Sequence, residues 1–146
     1  MIYRHLTGLA LAASLVLLLT AAGRVPEKDR IRDFTFVRSE TAGHDSRGNR
    51  ITVDYYESDK STLTVTTIPR VTMTGTFVAV GNEPFTMLVF QTDDGRSYHI
   101  PPDMKDRFWK LQGKTITLTG RVEKRTVKSK RGDKRVSRNF FHPDRP

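Results

Sequence analysis

A chain of 146 residues with a formal net charge of +9 and no cysteine has length for one domain and too little for two of ordinary size. Without thiols it can form no disulfide, thiolate metal site or thioether lipid, so its fold rests on an apolar core. The charge points to anionic partners.

The first 22 residues read as a secretory signal. Arg4 is followed by the uninterrupted apolar and small-residue run Leu6 to Leu19, and Thr20-Ala21-Ala22-Gly23 supplies small residues ahead of Arg24. Cleavage is expected after Ala22. The alternative is an uncleaved anchor over Leu6 to Gly23, near the lower limit of about 17 to 25 residues for a membrane span. Both readings place the domain outside the cytoplasm, in the periplasm or cell envelope. Residues 23–32 are charged, contain Pro26 and show no apolar period, as a linker does.

Residues 33–70 alternate with period two. "DFTFVRSE", "RITVDYYES" and "STLTVTTIP" are β-branched and aromatic runs separated by turn formers, which predicts two or three strands making an accessory hairpin or extending a larger sheet. "RVTMTGTFVAV" predicts a long strand that can bend at Gly75. "FTMLVFQT" and "RSYHI" flank Asp93-Asp94-Gly95. A three-residue loop with Gly95 left-handed pairs Phe90 with Tyr98 and Leu88 with Ile100, which makes one apolar face. "PPDMKDRFWKLQG" carries helix signals: Asp103 as N-cap, Met104, Phe108 and Leu111 at helical spacing, Trp109 one position off that stripe as a packing residue, and Gly113 as the stop. "KTITLTGRVEKRTV" and "KRVSRNFF" predict a closing hairpin around Lys130-Arg131-Gly132-Asp133.

The order strand, strand, strand, short helix, strand, strand over residues 71–141 resembles an OB-fold domain. "VGNEPF" and "DDGRSYHIP" resemble small exported OB-fold proteins of bacteria, spirochaetes in particular. The resemblance implies an all-β fold with one short helix: a five-stranded OB-like Greek-key barrel, preceded by the accessory hairpin and followed by a tail over 142–146. It also implies a ligand platform beside the second and third barrel strands and the loops after the first and fourth. Met87, Val89, Gln91, Ser97 and His99 occupy that face, which has no aromatic residue on this reading. Glu83, in the loop Gly81 to Pro84, can reach a ligand there.

Charge concentrates elsewhere. Between Arg121 and Arg138 nine Lys/Arg stand against Glu123 and Asp133, making the closing hairpin a basic finger. Lys128, Lys130, Arg131, Lys134 and Arg135 are the candidate contacts for an anionic envelope polymer, a lipid surface or a protein partner. The same charges also suit a solvated edge that resists aggregation. Single-strand nucleic-acid binding is the alternative function, but no stacking ring is interleaved with the charges. Arg131-Gly132-Asp133 spells an adhesion tripeptide at the tip, where turn chemistry alone accounts for it. His44, His99 and His142 lack metal-ligand spacing, and the acids are scattered over turns and helix ends. The sequence therefore implies no metal, no cofactor and no catalytic site, and the reading is a non-enzymatic binding or scaffold module.

Overall fold

The computed structural model describes residue 31 and residues 33–145. The expected signal or anchor segment lies outside them, and among the described residues no helix is long and apolar enough to cross a membrane.

Among the described residues seven strands form one sheet, mostly antiparallel. β1 (Thr35–His44) and β2 (Arg50–Glu57) make the accessory hairpin. Its turn is held by Asp45, whose carboxylate accepts from the backbone N–H groups of Arg47 and Asn49 at 2.9 and 2.8 Å, an Asx turn.

β3 (Ser61–Val80) is 20 residues long and runs through the expected junction at residue 70, so the accessory hairpin and the ring share a strand. Pro69 and Arg70 read as a break in the sequence. The chain absorbs them in a bulge opposite β6, between Ile68 and Val71, where proline's missing donor costs no ladder bond. The extra residue swaps the alternation of faces. Ile68 before the bulge and Val71, Met73 and Phe77 after it all turn to the core, whereas Leu63 and Val65 are buried on the other face.

β4 (Met87–Thr92) and β5 (Ser97–His99) follow the three-residue register, with Phe90 opposite Tyr98, Ile100 N–H donating to Leu88 C=O at 2.9 Å, and Gly95 at φ +83°. A single helical turn, α1 (Lys105–Phe108), runs into a 3-10 turn at Trp109–Leu111. It starts later than expected, because backbone bonds from Met104 to Pro101 and from Lys105 to Pro102 close the preceding turn. Asp103 is left exposed inside that turn, with Met104 in the cap position. Gly113, at φ +75°, ends the segment. β6 (Thr115–Ser129) and β7 (Arg135–Pro143) complete the chain.

β3, β4, β5, β7 and β6 close a ring of five strands through the β3–β6 pairing. It is not a regular barrel, since β5 and β7 meet in parallel at the single pair His99 and Phe140. Inside lie Phe77, Leu88, Phe90, Tyr98, Ile100, Phe108, Leu118, Val122 and Phe141. Phe77 packs on Phe90 and Phe108 at 5.0 and 5.4 Å, and Phe90 on Phe141 at 5.5 Å. Each fully buried ring is worth about 1.5 to 3 kcal/mol of transfer free energy. Trp109 lies partly buried against this core with Lys105 Nζ 4.8 Å from its ring. Beyond the ring the distal halves of β3, β6 and β7 continue with β2 and β1 as an open sheet. Its inner face extends the ring's interior and its outer face extends the ring's outside.

Candidate functional site

The period-two alternation of β6 and β7 sorts the nine basic residues of the closing hairpin into three groups. Arg121, Arg125 and Arg138 point to the outer face, Lys124, Lys128 and Arg135 to the inner face, and Lys130, Arg131 and Lys134 form the tip.

On the outer face Arg121 and Arg125 share a carboxylate, while Arg138 stands half-buried opposite Arg125 with no carboxylate within 4 Å among the described residues. Glu123, 7 % exposed, accepts from Arg125 Nε at 3.0 Å and again from Arg125 Nη2. Arg121 Nη2 lies 3.0 Å and His142 Nε2 3.3 Å from its other oxygen. Burial alone would raise the Glu123 carboxyl, but the His142 hydrogen bond and the charges of His142 and Arg121 outweigh it and hold the pKa below its ordinary value. Burial pulls Arg125 down to about 10 and lowers Arg138 as well. Arg125 takes up one oxygen of this carboxylate, and Arg121 and His142 lie at ion-pair distance from the other, so Glu123 offsets the positive charge gathered around it. Among the described residues no three His, Asp or Glu side chains gather closely enough to hold a metal ion.

The platform expected around Met87, Val89 and His99 adjoins this cluster. Val89 is buried and Met87 and His99 are half-buried. The β5–β7 contact brings Phe140 beside His99, with ring centroids 5.6 Å apart. The face expected to lack an aromatic therefore has one, supplied by a strand 41 positions further along the chain. Phe140 is buried beneath the Arg125 guanidinium, 5.0 Å from its ring, and presents no free surface for stacking. Glu83, at the exposed loop, accepts from Thr86 within that loop at 3.2 Å.

At the tip, Lys130 N–H donates to Lys60 C=O at 2.9 Å, which ties the β6–β7 turn to the β2–β3 turn. Lys130 Nζ sits 3.5 Å from Glu57. Lys60, Lys130, Arg131 and Lys134 thus share this end with Glu57, Asp59 and Asp133, and its charge is close to balanced. Arg131, Gly132 and Asp133 are all exposed.

The inner face is different. β3, β6 and β7 align there in three rows: Thr62, Lys128 and Arg135; Thr64, Thr126 and Ser137; Thr66, Lys124 and Asn139. With strands about 4.8 Å apart and about 3.4 Å per residue, the grid spans roughly 10 by 14 Å. Lys124, Lys128, Arg135, Ser137 and Asn139 are exposed, and Thr126 and Ser137 share a hydroxyl hydrogen bond of 2.9 Å. Among the described residues no carboxylate comes within 4 Å of Lys124, Lys128 or Arg135. Lys128 and Arg135 stand directly opposite each other, a like-charge pair that costs stability without an anion between them. On the β2 side the grid is bordered by Glu57 beside Thr62, which faces Lys130, and by Tyr55 beside Thr64, with Arg38 4.0 Å over its ring and its hydroxyl donating to Glu40 at 2.5 Å.

The structure thus divides the sequence-derived site residues. Lys128 and Arg135 share the inner face, Lys130, Arg131 and Lys134 the tip, and Met87, Val89 and His99 the outer face, while Glu83 lies in a separate loop. Lys124 and the threonines of β3 were missed as contacts. The alternation Lys124, Thr126, Lys128 was available in "EKRTVKS", but the flanking rows come from strands paired across the fold. The chain matches no protein-family model, no curated protein and no solved structure.

Proposed function

We propose that this is an exported, non-enzymatic binding or scaffold module of the bacterial cell envelope, in which an OB-fold ring presents its inner cationic sheet face to an anionic envelope polymer or lipid surface. The observation that carries the reading is the grid around Lys124, Lys128 and Arg135, none of which has a carboxylate within 4 Å among the described residues. Three cations without an ion-pair partner among the described residues, set among hydroxyls and an amide, offer an anion both charge and hydrogen-bond donors, and the opposed Lys128 and Arg135 are relieved when one arrives. The ring order β3-β4-β5-β7-β6, with a helix before β6, supports the OB-fold assignment.

Nucleic-acid binding has less support. Single-strand binders add stacking worth about 1 to 3 kcal/mol per base, and the aromatic bordering this face, Tyr55, is covered by Arg38. Enzymatic function has less still, since the buried Glu123 is shared among Arg121, Arg125 and His142.

The test is binding of the full-length protein to polyphosphate, dextran sulfate, anionic-lipid vesicles and single-stranded DNA, at low and at physiological salt, where screening acts over about 8 Å. The triple reversal K124E/K128E/R135E is expected to abolish binding to polymer or vesicles, while the tip reversal R131E/K134E leaves most of it. Binding indifferent to the triple reversal, or confined to DNA, would overturn the reading.

A further inference from the structure

The open sheet has two free edges, and they are defended differently. The distal half of β7 carries Arg135 and Arg138, with Lys134 just before it. A second strand of the same kind laid there meets like charge, the usual defence of an edge. Among the described residues β1 pairs with β2 alone, which leaves every second N–H and C=O along its outer side without a ladder partner there. Its residues are exposed almost throughout. Phe36 and Val37, at 55 % and 50 %, are two of the three large apolar side chains exposed among the described residues. Its charges are of opposite sign: Arg38 and Glu40 flank Ser39 and meet on one face within the strand. Arg38 Nη1 lies 2.7 Å from Glu40 Oε2, so each can add a contact across the edge to the one it has.

We infer that β1 is a self-pairing edge, through which two copies of this chain form a two-fold dimer with both cationic faces on one surface. Laid antiparallel with Ser39 on the axis, Ser39 stands opposite Ser39 and each Arg38 opposite Glu40 of the second copy. This register is complementary to itself, and an isologous contact of this kind closes at two copies. Directly opposed residues of an antiparallel pair lie on the same face, so centring on Ser39 keeps the two inner faces coplanar. A one-residue slip sets Glu40 against Ser39 and turns one cationic face over.

Bulges between Phe36 and Arg38 and between Thr41 and Gly43 limit regular two-fold pairing to Arg38 through Glu40. The seam is therefore short, of the weak and reversible class of small interfaces. Two grids on one continuous surface would bind a long polyanion bivalently, but the dimer itself does not depend on what the grids bind.

The absence of cysteine allows a single introduced thiol to report the register. The full-length protein carrying Ser39→Cys is expressed in a bacterial host and oxidised mildly in the envelope. Opposed Cα atoms in an antiparallel pair lie about 4.5 to 5.5 Å apart, inside the roughly 4.4 to 6.8 Å that a disulfide spans, so a cross-linked dimer is expected. Ala42→Cys lies about 20 Å from its symmetry mate and is expected to stay monomeric. In the Ser39→Cys background, Arg38→Glu should lower the cross-linking yield at least tenfold, because it sets like charges opposite each other. The swap R38E/E40R should restore it, with far-UV circular dichroism confirming the fold of each variant. A monomeric Ser39→Cys protein, equal cross-linking at 39 and 42, or a swap that fails to restore the yield would overturn the inference.

Discussion

Replacing Glu123 by Gln removes the carboxylate that compensates Arg125, Arg121 and His142 while keeping the side chain's shape. Breaking a buried ion pair from one side costs about 3 to 5 kcal/mol, because the remaining charge stays buried and unmatched. The structure places this case near the lower bound. The Arg121 side chain is 48 % exposed and can turn to water, whereas that of Arg125, at 9 %, lies over Phe140 and cannot. A loss of about 3 kcal/mol lowers the melting temperature by roughly 12 °C, at about 4 °C per kcal/mol for a domain of this size. Urea unfolding of the Glu123→Gln protein, with an unchanged m-value, reads the loss directly. The partner experiment is E123L/R125M, which removes both buried charges and fills the space with apolar groups; such replacements are often neutral or stabilising, so most of the loss should be recovered. A Glu123→Gln loss below about 1 kcal/mol, the range of exposed pairs, or a double variant no better than the single one, would refute the view that Glu123 is there to neutralise the outer face.

The same carboxylate gives the fold an acid-sensitive contribution. Its folded pKa is depressed, so its stabilisation is complete above the unfolded value of about 4.3 and is lost as pH falls through the lower folded one; thermal melts from pH 6 to pH 2 should show this dependence, and the Glu123→Gln protein should show less of it. Gly75 and Gly120 are needed for backbone approach: a Cβ at Gly75 would collide with the Gln91 carbonyl, and one at Gly120 with the His142 carbonyl and the Phe141 ring. Alanine at either should cost about 1 to 3 kcal/mol or more in urea unfolding. Phe77→Ala, which empties the junction between Phe90 and Phe108, should cost about 3 to 5 kcal/mol by the same measurement.

Local chemistry was legible in the sequence wherever a single segment decides the outcome. The β4–β5 register follows from matching Phe90 to Tyr98 and Leu88 to Ile100 across a loop with one left-handed glycine, and the helix stop follows from Gly113. What depends on pairing between distant segments was not legible. Pro69-Arg70 has the chemistry of a break, and only the strand opposite makes it a bulge within β3. Phe140 joins the outer face through its parallel contact with His99, and the burial of Glu123 and Arg125 depends on their standing beside Thr67 and Val65 of β3. The same applies to the basic run: alternation divides it between two faces, but β3 and β7 decide that Arg121 and Arg125 meet a carboxylate while Lys124, Lys128 and Arg135 meet hydroxyls.

The most direct test of the cationic inner face is a backbone amide NMR titration of the protein with polyphosphate at physiological salt. The account predicts that shifts concentrate on residues 62–66, 124–128 and 135–139 and saturate with added ligand. Shifts confined to residues 87–99, or spread over every exposed Lys and Arg without saturation, would contradict it.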